Sequence, residues 1–140
     1  MIVKRSVTVS VPPDRAFEAF TAEIGRWWPL PGFSFGDTPA NDMVLEGKEG
    51  GRLYQLWPDG REHLIGEVRA YEPPSRVMFT WNGSEGSTEV EVRFVEEGEA
   101  TRVDLEHRGF EALGPKAEEA FNSYNGGWVE VLGHFEKHAA

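Results

Sequence analysis

The chain has 140 residues, enough for one domain over 1–140, and a domain of that size buries roughly two-thirds of its unfolded surface without covalent staples. Its 24 acidic and 14 basic residues leave a net charge of −10, which repels phosphate backbones and anionic lipid and argues against nucleic-acid or membrane partners. Cysteine is absent, which excludes disulfides, thiol nucleophiles and thiolate metal sites and suits a cytoplasmic location.

From the N-terminus, residues 2–11 alternate, with Val3, Val7, Val9 and Val11 on one side and Lys4, Ser6, Thr8 and Ser10 on the other. This predicts a half-buried strand in which Arg5 breaks the apolar face. MIVKRSVTVS lacks the apolar run of a secretory signal, and no stretch approaches the ~20 apolar residues of a membrane span. Pro12-Pro13-Asp14 opens a helix whose stripe is Ala16, Phe17, Ala19 and Phe20, because Pro suits a first helical turn and Asp suits the N-terminal dipole. A second short helix is expected from Ala22 to Trp28, stopped by Pro29 and Pro31. The segment from Pro31 to Asp42 reads as a loop, and its Phe33 and Phe35 imply that it folds over something apolar.

Six strands follow, at Met43–Lys48, Arg52–Trp57, Glu62–Tyr71, Arg76–Trp81, Ser87–Val95 and Ala100–Arg108. Turn signals separate them, among them Pro58-Asp59-Gly60 and Asn82-Gly83-Ser84-Glu85-Gly86, which predicts a meandering antiparallel sheet. Thr88, Val90, Val92 and Phe94 alternate with Glu89, Glu91 and Arg93, giving one dry and one wet face. The period then changes. Ala117, Phe121, Tyr124, Trp128, Val131 and Phe135 recur at threes and fours, which predicts an amphipathic helix from Lys116 to Lys137. Gly126-Gly127 in its middle implies a close backbone approach or a bend. Seven strands and one long helix bury both dry faces most simply if the sheet curls around the helix.

This order of motifs resembles the START-like (SRPBCC, helix-grip) superfamily, and within it the homologue family of the activator of the heat-shock protein 90 ATPase. The resemblance rests on Val11-Pro12-Pro13-Asp14-Arg15-Ala16-Phe17, Trp27-Trp28, Gly50-Gly51, Asp59-Gly60 and Gly66-Glu67-Val68. It continues through Pro73-Pro74-Ser75-Arg76-Val77-Met78-Phe79-Thr80-Trp81, Leu105-Glu106-His107-Arg108-Gly109-Phe110 and Tyr124-Asn125-Gly126-Gly127-Trp128. It implies an α+β helix-grip fold, with a seven-stranded curved antiparallel sheet around a long C-terminal helix and two short helices after the first strand. Such proteins include ligand carriers, cyclases, hydrolase-like enzymes and chaperone regulators, so fold alone does not name an activity.

Period-two alternation sets Val77, Phe79 and Trp81 on the side of Leu64, Gly66 and Val68, and turns Val103, Leu105 and His107 inward, with His63 facing solvent. Trp28, Phe33, Phe79, Trp81, His107, Tyr124 and Trp128 are then expected to line a cavity for a small hydrophobic or amphipathic ligand, with its mouth near the short helices. Two other readings stay open: a cyclase or hydrolase using His107 and Tyr124 as acid and base, and a chaperone co-regulator or interaction module. Self-association into a homodimer is compatible with either. No metal or cofactor is expected, since no HExxH or comparable ligand spacing occurs. Gly32-Phe33-Ser34-Phe35-Gly36 spells GxSxG, but it sits in a Pro-rich loop rather than a strand-to-helix turn, so Ser34 is not expected to be a nucleophile.

Overall fold

A computed structural model describes residues 1–36, 38–83 and 86–140. The strands are β1 (Val3–Val9), β2 (Asp42–Leu45), β3 (Arg52–Leu56), β4 (Glu62–Glu72), β5 (Arg76–Gly83), β6 (Gly86–Glu97) and β7 (Ala100–Arg108). The helices are α1 (Pro13–Thr21), the single turn α2 (Ile24–Trp27) and α3 (Ala117–Ala139), with a tight 3-10 stretch (Phe110–Lys116) leading into α3. All seven strands form one antiparallel sheet in the order β1-β7-β6-β5-β4-β3-β2. The sheet curls around α3, as the two periods require. The predicted turn residues Ser84 and Glu85 lie outside the described residues.

Several boundaries differ from expectation. The second helix closes within one turn, because Trp28 already has extended dihedrals and Pro29 follows it. β2 stops at Leu45, while the helix start is displaced by one residue and its end reaches Ala139.

Two irregularities bend β4. Against β3 the register shifts between Leu53 and Tyr54, which face Gly66 and Leu64 and leave Ile65 as the extra residue. The shift reverses the side-chain phase. Ile65, Gly66 and Val68 are buried, whereas Leu64 is 53% exposed, so the expectation that Leu64 points inward fails. By the same reversal His63 is turned in, opposite the buried Gln55, instead of facing solvent. Gly66 is required there, since a Cβ would lie 1.7 Å from the Thr80 carbonyl oxygen. A second shift between Val68 and Ala70 bends the strand again, before Tyr71 packs on Phe17.

Arg5, the exception on the apolar face of β1, reaches α3. Its guanidinium donates to the Asn125 backbone oxygen and side-chain Oδ1, both at 2.9 Å. Glu91 departs from the simple wet-face pattern by being buried, enclosed by the guanidinium groups of Arg76, Arg93 and Arg108. At the far end, Phe20 packs edge-on against Phe94 and Phe135 and closes the core where α1 crosses α3. His138 fixes that end through a 2.7 Å contact of Nε2 with Glu23, a carboxylate that Arg15 also clasps.

Candidate functional site

Three indoles converge between the sheet and α3. Trp28 leaves the end of α2, Trp81 projects from the inner face of β5, and Trp128 from the buried face of α3. Their ring centroids lie 5.6 Å apart for Trp28–Trp81, 5.7 Å for Trp28–Trp128 and 6.0 Å for Trp81–Trp128. With Phe33, Phe35, Tyr124 and Val131 they wall a partly open cavity of about 180 Å³. Ser34 and Ser123 supply hydroxyls to its lining, Gly127 forms part of the floor, and none of the lining side chains is charged.

All three indole N–H groups are used inside the protein. Trp28 Nε1 donates to the Phe33 carbonyl at 2.8 Å, Trp81 Nε1 to the Tyr124 hydroxyl at 3.1 Å, and Trp128 Nε1 to His107 Nδ1 at 2.9 Å. Because Nδ1 accepts, the neutral His107 ring carries its proton on Nε2, which lies 2.7 Å from Thr88 Oγ1. The Thr88 hydroxyl then donates to the Trp81 carbonyl at 3.2 Å. The chain thus runs from helix to sheet with every step satisfied. Burial lowers the His107 pKa to about 3, so the ring is neutral at physiological pH.

Of the residues expected at the site, Trp28, Phe33, Trp81, Tyr124 and Trp128 stand around the cavity. Phe79 and His107, 1% and 0% exposed, lie in the packed layer behind it. Both nitrogens of His107 are occupied and its proton affinity is low, which removes the imidazole as an acid/base group near neutral pH. His107 and Tyr124 are nonetheless adjacent, with ring centroids 4.8 Å apart.

Sequence reasoning missed Gln55. This side chain is fully buried, and its Oε1 accepts the Phe35 backbone N–H at 2.9 Å while Nε2 donates to the Phe33 carbonyl at 3.4 Å. It thereby holds the aromatic loop over the cavity. A Gln at an inward position of a short strand was the available signal, since a buried amide needs local partners. Ser34, the GxSxG serine, serves the same loop by accepting the Ala40 N–H at 2.8 Å. Of the glycine pair only Gly127 meets a close neighbour, and that neighbour is a side chain rather than a backbone. A Cβ on Gly127 would stand 3.3 Å from the Phe33 ring, whereas one on Gly126 would meet nothing within 4 Å. Among the described residues no three His, Asp or Glu side chains gather as a metal site, and no helix is long and apolar enough to cross a membrane.

Comparison with known proteins agrees with this architecture. CalC from Micromonospora echinospora, a self-sacrificing resistance protein, is 29% identical, with a TM-score of 0.75 over 99% of this chain and 93% of its own. Txn09, an anthrahydroquino-γ-pyrone synthase, is 30% identical, with a TM-score of 0.59 over 84% of this chain and 82% of its own. The MLL2253 protein of Mesorhizobium loti, 19% identical, shares the fold with a TM-score of 0.74 over 98% of this chain and 95% of its own. No curated protein matches the sequence. The family model described as Activator of Hsp90 ATPase homolog 1-like protein matches residues 10–140, and the chain belongs to that family.

Proposed function

We propose that the protein binds one small, flat, uncharged hydrophobic molecule between the sheet and α3. The observation that carries this reading is the uncharged aromatic cavity, whose indole N–H groups are all committed to protein acceptors. Such walls offer ring faces and few polar points, which selects for planar apolar ligands. An engineered void of ~150 Å³ accommodates benzene, so about 180 Å³ suits one or two fused rings, with larger ligands projecting through the opening. The likeness to Txn09, a synthase named for a fused-ring product, supports the same class of ligand.

Thermal melts with naphthalene, flavone, anthraquinone and decanoate test this. A neutral fused-ring compound at 100 times its Kd should stabilise the fold by about 2.7 kcal/mol, read as a rise of several degrees in Tm. Decanoate, whose carboxylate finds no cation in the lining, should do less. A panel without any shift would reject the reading.

Catalysis in the same cavity is the second reading, favoured by the name of Txn09. Tyr124, which faces the cavity and receives the Trp81 N–H, is then the group that would act, not His107.

A further inference from the structure

His63 is the one group with a side-chain nitrogen or oxygen that is buried and lacks a hydrogen-bond partner among the described residues: its Nε2. The sequence gives no hint of this, because the register shift at Ile65 is what turns the ring inward. A buried nitrogen without a partner forfeits its hydration and gains nothing in return, so it needs a reason. One lies beside it. The His63 ring is stacked on Phe35, centroids 4.6 Å apart and planes 23° from parallel, and Phe35 is itself a wall of the cavity.

We infer that His63 is a specificity-determining residue for ligands bearing an aromatic hydroxyl, engaged when Phe35 turns out of the stack. The inference rests on the cavity being a ligand site. Rotation of Phe35 about its side-chain bonds leaves the loop backbone in place, since the Phe35 N–H stays on Gln55 Oε1 and Trp28 stays on the Phe33 carbonyl. Phe35 is half-buried, and the centroid of Trp81, its other aromatic neighbour, lies 6.2 Å away, so its ring is not locked on all sides. Once the ring moves, the cavity becomes continuous with the imidazole, and an aromatic ligand replaces Phe35 in the stack. A hydroxyl suits Nε2 in either tautomer, because it both donates and accepts. An ether or a bare ring edge cannot do both. The same movement enlarges the cavity, which makes room for ligands of more than two rings.

The matched probes are naphthalene and 2-naphthol, measured by calorimetric titration against the wild type and His63→Phe, which keeps the stack and removes the nitrogen. The wild type should favour 2-naphthol over naphthalene, and His63→Phe should reduce that preference about five- to tenfold. If both compounds bind and the preference is the same in the two proteins, the assignment of His63 is overturned while the cavity reading stands. If neither binds the wild type, the cavity reading fails and this inference falls with it. Should the variant fold poorly, nitrogen NMR of the wild type decides the matter. The His63 Nε2 resonance should move with 2-naphthol and stay with naphthalene; movement with neither, or equal movement with both, overturns the assignment.

Discussion

The Trp128 indole donates its N–H to Nδ1 of His107 at 2.9 Å, joining the middle of α3 to the last strand through two fully enclosed rings. The contact decides the tautomer of the histidine and, through Thr88, orients the Trp81 carbonyl. Two walls of the cavity, Trp81 and Trp128, are therefore held by one relay. Trp128→Phe keeps an aromatic ring but removes the pyrrole half of the indole with its donor, leaving Nδ1 buried without a partner. Chemical denaturation should show a loss of about 1–3 kcal/mol. An unchanged midpoint would mean that the relay holds nothing.

The same burial predicts a pH dependence. His107 resists protonation in the fold, its pKa lowered from 6.5 to about 3, so the unfolded chain takes up that proton first as pH falls. The contribution of this residue is complete above pH 6.5 and declines as pH drops towards 3, by about 1.4 kcal/mol per pH unit. Urea titrations at pH 7, 6 and 5 should show that slope, and His107→Gln should flatten it. A stability that rises between pH 6.5 and 5 in the wild type but not in the variant contradicts a neutral His107.

Gly126 and Gly127 should respond differently to the same change. Gly126→Ala adds a methyl where nothing lies within 4 Å and should stabilise α3 by about 1 kcal/mol, with ligand binding unaltered. Gly127→Ala presses its methyl on Phe33 at 3.3 Å, so the helix gain is offset and the affinity for naphthalene falls. Equal behaviour of the two variants in melting and in titration would refute the role given to Gly127.

Much of the fold was legible because period is a local property. The alternation of Val90, Val92 and Phe94 and the three-four spacing of Trp128, Val131 and Phe135 are carried by the elements that contain them, and both sets are buried as expected. The inward turn of Val103, Leu105 and His107 followed from the same rule. What failed was the phase of β4. A bulge adds one residue to one strand, and alternation written for an unbroken strand then sends Leu64 inside and His63 outside. The cavity wall was legible as far as aromatic content reaches, through Trp28, Phe33, Trp81, Tyr124 and Trp128. Phe35 was read only as part of an apolar loop, and Gln55 not at all, because the partners of a buried amide lie some 20 residues away in the chain. Arg5 looked like a flaw in its strand until Asn125 supplied the acceptors.

The five tryptophans provide the most direct measurement of the central claim, since each indole N–H gives its own proton–nitrogen NMR signal. Titration with naphthalene should shift the signals of Trp28, Trp81 and Trp128 together with a single Kd. Trp57, whose indole N–H is bonded to the Thr38 carbonyl away from the cavity lining, should stay in place. A titration in which those three signals remain still, or in which Trp57 alone moves, would contradict a ligand site between the sheet and α3.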